Sequence, residues 1–143
     1  MALALLWAGV AAAAESGLDQ VRAEPNLERR SKLAMDNATS ALKAAREAYA
    51  AGDTAGTIAK AAEIEQSVDL AYVSLTQTGK NARKSPRWFK YAEVETRELT
   101  RKLEDFQQQM SYGDRASFDQ AKAKIQQVHD DLLTELMEGK KKK

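Results

Sequence analysis

The chain has 143 residues, a formal net charge of +1, one histidine and no cysteine. A charge this close to zero argues against a general nucleic-acid binder or a membrane-surface protein, which carries a larger basic excess. The absence of cysteine excludes disulfides, thiolate metal ligands and a cysteine nucleophile. Helix-favouring residues dominate and β-branched residues are sparse, so we predict an all-α fold.

Residues 1–14 have the pattern of a secretory signal peptide. An apolar run, ALALLWAGVAAAA, ends in small residues, and Ala12 to Ala14 before Glu15 fits a small-x-small cleavage site. The run is shorter than the roughly 20 residues that a helix needs to span a bilayer. No lysine or arginine precedes the run, so either the true start lies upstream or the amino terminus supplies the only positive charge. A buried N-terminal helix is the alternative interpretation. The signal interpretation predicts export to the periplasm or medium, with residues 15–24 as a lead-in.

The rest of the chain contains an internal repeat. Residues 25–75 align without a gap with residues 86–136, which lie 61 positions further along the chain. Eleven of the aligned pairs are identical, whereas chance would give roughly 3 or 4. Three of these pairs are residue types that begin or end helices, namely Pro25/Pro86, Gly52/Gly113 and Asp53/Asp114. The alignment predicts two helical hairpins with the same organisation.

The repeated pairs predict the helix ends. A proline suits the first turn of a helix, where its missing N–H has no partner to lose. A glycine just past a helix end adopts the left-handed conformation, so we expect positive φ at Gly52 and Gly113. Asp53 and Asp114 are then expected to cap the helices that follow. Each Gly-Asp pair therefore predicts a tight turn between antiparallel helices.

Four helices are predicted, over about 25–51, 54–76, 86–112 and 115–137. The first two helices form a hairpin over 25–76, and the last two form a second hairpin over 86–137. A linker over 77–85 joins the hairpins, and a basic tail over 138–143 follows the second one. Apolar residues at three- and four-residue steps predict one buried stripe on each helix. The expected stripes are Leu27, Ala38, Leu42, Ala45 and Tyr49; Ile58, Ala61, Ile64, Val68, Ala71 and Leu75; Trp88, Ala92, Leu99, Leu103, Phe106 and Met110; and Phe118, Ala121, Ile125, Val128, Leu132 and Leu136. Since large residues of the third helix align with alanines of the first, we predict one four-helix bundle with a shared core.

Two segments resemble known proteins. The first turn, AREAYAAGDTAGTIAKA, resembles a tetratricopeptide-type hairpin. The resemblance extends to the turn alone, because the period here is 61 residues whereas tetratricopeptide repeats have a period of about 34. The segment SPRWFKYAEVETRELTRKLEDF resembles small exported bacterial helical proteins of unknown function, and this resemblance implies no activity.

Residue patterns for catalysis or metal binding are scarce. His129 has no second ligand at matching spacing, which predicts a surface or core-edge residue. The carboxylates are expected on solvated, salt-bridged faces, including those of Glu63, Glu65, Asp69, Glu104 and Asp105. We therefore expect no enzyme activity, cofactor or metal. An enzyme built on carboxylates alone remains an alternative and would need convergent acids in a deep cleft.

The most distinctive chemistry lies in residues 79–91, GKNARKSPRWFKY. Five cations occur from Lys80 to Lys90 with aromatic residues among them and no acid. Such a segment can hold phosphates or acidic partner segments, and the helix start that follows adds amide donors. The candidate binding residues are Lys80, Arg83, Lys84, Arg87, Phe89, Lys90 and Tyr91.

The repeat also predicts which aromatic residues of this segment are accessible. Trp88 aligns with the stripe residue Leu27 and is expected to be partly buried. Phe89 and Tyr91 align with charged residues of the first hairpin and are expected to face water. Since charge runs are usually solvated, the segment alone favours a solvated linker whose aromatic residues pack on the end of the bundle, and the binding site is the alternative.

The leading functional prediction is an exported, non-enzymatic helical interaction or scaffold module whose partner is another protein. The alternative is a module that binds an anion or an acidic partner through residues 80–91. We expect no specific nucleic-acid partner and no transmembrane segment in the mature chain. The tail lysines, residues 140–143, are expected to add non-specific attraction to anions.

Overall fold

The computed structural model describes residues 17–139, so the predicted signal peptide and the tail lysines lie outside the described residues. The described part confirms the all-α helical bundle and contains no strand. In chain order its elements are α1 (Gly17–Arg22), α2 (Leu27–Ala50), α3 (Thr54–Gln77), α4 (Arg87–Gln109), a 3₁₀ helix (Tyr112–Phe118) and α5 (Asp119–Glu138).

The two hairpins lie side by side with their equivalent helices adjacent. Within the hairpins α2 packs on α3 and α4 packs on α5, while α2 also contacts α4 and α3 contacts α5. The equivalent helices run in the same direction, so both Gly-Asp turns lie at one end of the bundle, which we call the turn end. Residues 78–86, between α3 and α4, lie at the opposite end, which we call the linker end.

A single core runs through both hairpins. Its largest fully buried side chains come from all five α-helices and the 3₁₀ helix, and include Leu18, Met35, Ile64, Leu75, Leu99, Leu103, Phe118, Ile125 and Leu132. The prediction of Ile58 as a core residue is wrong, because its side chain is 52% exposed. The inward stripe of α3 starts instead at Thr57 and continues through Ala61 and Ile64, which leaves Ile58 about 100° round the helix.

The lead-in segment contributes to this core. Residues 17–22 form α1, and its two apolar side chains, Leu18 and Val21, are buried on the first hairpin. A six-residue helix has little intrinsic stability in water, so α1 depends on this burial.

The two Gly-Asp turns differ in backbone conformation. At the first turn Gly52 has φ 74° and the Asp53 carboxylate accepts a 2.9 Å hydrogen bond from the amide of Gly56, as predicted. At the second turn the prediction is wrong, because Gly113 lies inside the 3₁₀ helix without a positive φ, and α5 begins at Asp119. The chain leaves α4 through the extended residues Met110 and Ser111, so no left-handed residue is needed there.

The two prolines lie slightly earlier, relative to the helix starts, than predicted. Asn26 caps α2 by accepting a 2.9 Å hydrogen bond from the amide of Arg29, so Pro25 lies just before the helix. Pro86 occupies the capping position of α4. Both prolines therefore precede the first turn, in which they were predicted to lie.

Candidate functional site at the linker end

The linker end owes its shape to one asparagine and one buried alanine. The Asn81 Oδ1 atom accepts a 2.9 Å hydrogen bond from the amide of Arg83, and the Asn81 carbonyl accepts one of 2.8 Å from the amide of Ser85. Ala82, between these contacts, is buried. Hydrogen bonds to Asn81 and the burial of Ala82 therefore hold the backbone of the linker in place, while the side chains of Arg83 and Lys84 are exposed.

Four of the five predicted cations have no ion pair within residues 17–139. The exception is Lys80, whose Nζ atom lies 2.6 Å from Glu28 Oε1. Arg83, Lys84, Arg87 and Lys90 are exposed and belong to none of the ion pairs of the described region. The linker end therefore carries four exposed cations that no carboxylate of the described region pairs with.

The predicted exposure of Phe89 is wrong. Its side chain is 4% exposed because it belongs to the inward stripe of α4, followed by Ala92, Thr96 and Leu99 at helical spacing. A phenylalanine buried in this way cannot contact a ligand at the surface. Phe89 is therefore a core residue and is removed from the candidate binding set.

The predicted exposure of Tyr91 is also wrong. This residue is half-buried, and its hydroxyl donates a 2.5 Å hydrogen bond to Asp36 Oδ1 on α2. Burial and this hydrogen bond raise the pKa of the Tyr91 phenol well above its ordinary value. Tyr91 therefore holds α4 against α2 and offers only part of its ring to a ligand. Trp88 is half-buried, in line with its prediction.

A shallow groove of about 470 Å³ runs beside the cations, between α2 and α4. Trp88, Tyr91 and Val94 form its apolar surface. The cations that line it are Lys32, Arg87 and Lys90. The Arg87 guanidinium lies 4.7 Å from the centroid of the Trp88 ring, and the Lys32 ammonium lies 5.6 Å from that of Tyr91. The groove therefore suits an apolar side chain that is flanked by carboxylates.

A second cleft, of about 440 Å³, lies at the turn end and was missed by sequence reasoning. Both Gly-Asp turns line it, together with Tyr49, Ile58 and Met110. The repeated Gly-Asp pair is the signal that could have located the cleft, but only if the two hairpins were known to run in the same direction. Its carboxylates both have roles in the fold, because Asp53 caps α3 and Asp114 accepts a hydrogen bond from Tyr49.

The remaining carboxylates lie mainly where they were predicted, with one exception. Glu63 is 9% exposed and accepts hydrogen bonds from Asn37 and Lys60, so its placement on a solvated face is wrong. The other four are exposed or half-exposed, and they are Glu65, Asp69, Glu104 and Asp105. Glu63 is buried because it faces α2, where the amide of Asn37 replaces water as its hydrogen-bond donor.

His129 lies at the edge of the core, as predicted. It is half-buried on α5, and its Nε2 atom is 3.1 Å from Glu93 Oε1 on α4. Within residues 17–139 there is no group of three or more histidine and carboxylate side chains arranged to hold a metal ion.

No protein-family model, curated protein or solved structure matches this chain. None of the helices between residues 17 and 139 combines the length and the hydrophobicity that crossing a bilayer requires.

Proposed function

We propose that this protein is an exported, non-enzymatic helical interaction module that binds an acidic partner protein through its linker end. The observation that carries the proposal is a group of exposed cations that form no ion pair with any residue from 17 to 139, namely Arg83, Lys84, Arg87 and Lys90. Because the net charge of the chain is only +1, this positive potential is local and can orient a partner during association.

The groove beside these cations favours a protein partner. Tryptophan, tyrosine and arginine are the residue types that dominate binding energy at protein interfaces, and Trp88, Tyr91 and Arg87 lie together here. An apolar side chain of the partner would fill the groove, while neighbouring carboxylates would pair with the exposed cations.

Single-stranded nucleic acid suits the same surface less well. Stacking of bases requires accessible aromatic faces. Phe89 is buried, the Trp88 ring has Arg87 over one face, and Tyr91 is tied to Asp36. The positive charge therefore comes without an open stacking platform.

Binding is tested by titrating the full chain with a fluorescent peptide of alternating glutamate and leucine. The variant Arg83→Gln/Lys84→Gln should bind roughly 3- to 30-fold more weakly, as expected for two exposed ion pairs. Wild-type affinity should fall with salt, because exposed charges are screened over about 10 Å at 0.1 M ionic strength. Lys43→Gln/Lys102→Gln is the matched control, since these two lysines lie on α2 and α4 outside the linker end. Salt-independent binding, or equal weakening in the control, would contradict the proposal.

Export has its own test. The signal-peptide pattern of residues 1–14 supports it, with cleavage after Ala14. Intact-mass measurement on the chain expressed in a Gram-negative host should give a periplasmic product that begins at Glu15. A full-length product that stays in the cytoplasm would contradict this part of the proposal.

A further inference from the structure

The cleft at the turn end has an apolar interior that both hairpins build. Its lining includes Tyr49 from the last turn of α2 and Met110 from the end of α4, together with Thr57 and Ile58 near the start of α3. Met110 and Thr57 are each 3% exposed and form the floor, whereas Ile58 is 52% exposed and lies at the opening. The volume of about 440 Å³ falls within the range of roughly 300–1,000 Å³ that is typical of small-molecule pockets. The cleft therefore has the size and the apolar surface to hold the body of a small ligand.

The charged groups that line this cleft are both carboxylates. Among the described residues, Asp53 and Asp114 are the only charged side chains of the lining, which contains no lysine or arginine. Neither carboxylate forms an ion pair with a residue from 17 to 139. The cleft therefore favours a ligand that carries a positive charge.

Each of the two carboxylates has one oxygen bonded within the fold. Asp53 Oδ1 accepts a hydrogen bond from the amide of Gly56, and Asp114 Oδ2 accepts one from the hydroxyl of Tyr49. The second oxygen of each carboxylate accepts no hydrogen bond from the described part of the chain, although an ionised carboxylate can accept on both oxygens. Because the bonds within the fold hold the two carboxylates in place, little side-chain freedom is lost when they bind a ligand.

We infer that the turn-end cleft binds a small primary amine with an apolar body. The ammonium group supplies three hydrogen-bond donors for Asp53 and Asp114, and the apolar body lies against Ile58 and Met110. This cleft is at the opposite end of the bundle from the linker cations, so the inference is independent of the proposed function.

An anion suits the cleft less well, although α3 begins there. The start of a helix holds anions through its free amides. At the start of α3 the amide of Gly56 donates to the Asp53 carboxylate over 2.9 Å, and the amide of Thr57 donates to the Asp53 carbonyl over 3.0 Å. The Asp53 carboxylate therefore already occupies the position of an anion, and it would repel a second one together with Asp114.

Three probes that share a phenyl ring and differ in charge test the inference. They are phenethylamine, its neutral analogue phenethyl alcohol and the anion hydrocinnamate, each titrated into the isotopically labelled full chain at neutral pH. Phenethylamine should shift the amide NMR signals of Gly52 and Gly113 at the turn end and leave that of Gly79 at the linker end unchanged. It should bind roughly 3- to 30-fold more tightly than phenethyl alcohol, as expected for two exposed ion pairs.

Isosteric variants remove the negative charge and keep the hydrogen bonds of the fold. Asp53→Asn/Asp114→Asn retains the side-chain oxygens that accept these bonds, and asparagine caps helices about as well as aspartate. This variant should bind phenethylamine as weakly as phenethyl alcohol. The control Asp69→Asn/Asp130→Asn changes the other identical aspartate pair of the internal repeat, whose members are exposed and lie outside the cleft. The control should keep the preference of the wild type for the amine.

A change in the apolar wall should act on the amine and the alcohol alike. Ile58→Ala removes part of the contact surface at a half-exposed position, so both probes should bind roughly 3-fold more weakly. Circular dichroism checks that each variant keeps the helical content of the wild type.

Four results would overturn the inference. The first is equal affinity of the wild type for phenethylamine and phenethyl alcohol, and the second is an unchanged preference for the amine in Asp53→Asn/Asp114→Asn. The third is hydrocinnamate binding at least as tightly as phenethylamine, which would make the start of α3 an anion site. The fourth is the absence of NMR shift changes at Gly52 and Gly113, which would place any binding outside the cleft.

Discussion

Tyr49 of the first hairpin is hydrogen-bonded to Asp114 of the second. Its hydroxyl donates to Asp114 Oδ2 over 2.9 Å and accepts from the amide of Ser111 over 2.8 Å. The Tyr49 ring also meets Phe106 edge-on, with the centroids 5.7 Å apart. The carboxylate that the repeat assigns to a helix cap therefore joins the two hairpins at the turn end.

Removing the Tyr49 hydroxyl tests this junction. Tyr49→Phe keeps the ring contact with Phe106 but loses both hydrogen bonds. We expect the free energy of unfolding to fall by about 1 kcal/mol. This value is at the low end of the range for the loss of two hydrogen bonds, because both are exposed to solvent. Urea denaturation measures the change. The control Tyr112→Phe, at a residue 88% exposed, should leave the midpoint unchanged. Equal midpoints for both variants would show that the junction adds no stability.

The two turn glycines provide a matched pair. A Cβ atom would meet nothing within 4 Å at either Gly52 or Gly113, so only the backbone conformation distinguishes them. Gly52→Ala should lower the free energy of unfolding by roughly 1 to 2 kcal/mol, because φ is 74° there. Gly113→Ala should be neutral or stabilising by up to about 1 kcal/mol, because alanine restricts the unfolded chain. Similar losses in both variants would contradict the difference between the turns.

Phe89 should behave as a core residue. Phe89→Ala should lower the free energy of unfolding by about 3 to 5 kcal/mol, through the lost burial and the cavity that remains. Val94→Ala on the same helix is the control, since Val94 is 42% exposed and a change within about 0.5 kcal/mol is expected. Thermal or urea unfolding distinguishes the two. A stable Phe89→Ala variant with weakened peptide binding would restore Phe89 to the binding surface.

Alkaline pH should destabilise the fold through two tyrosines. Burial, with the nearby Glu135 and Asp131 carboxylates, raises the pKa of Tyr72 to about 12, and burial with the Asp36 hydrogen bond raises that of Tyr91. The folded state thus favours the neutral phenols, so their contribution to stability is complete below about pH 10 and falls as the pH rises above it. For Tyr72 the loss runs from about pH 10 to pH 12.

The measurement is urea denaturation between pH 9 and pH 11.5. The variant Tyr72→Phe/Tyr91→Phe should lose stability less steeply with rising pH than the wild type. Tyr112→Phe serves again as the exposed control and should follow the wild type. Parallel curves for the double variant and the wild type would mean that neither phenol is linked to folding.

Part of the candidate site was readable from the sequence. The five cations of residues 80–90 were identified by their spacing, and four of them have no ion pair in the described region. The exposure of Phe89 was predicted wrongly because the repeat aligns Phe89 with Glu28. Glu28 is half-buried on α2, whereas the equivalent position of α4 is buried in the core. Equivalent positions in a repeat share a backbone path, but the neighbours that cover them differ.

The sequence by itself determined the helices and the first turn. Apolar spacing of three and four residues and a Gly-Asp pair act within one or two turns of chain, so local rules suffice for α2, α3 and the left-handed Gly52. Only the tertiary structure decided that equivalent helices lie side by side, that the Asp114 carboxylate accepts a hydrogen bond from Tyr49, and that Gly139 packs beside Arg83. These contacts join residues more than 50 positions apart, and their geometry depends on how the whole core packs, which no local pattern encodes.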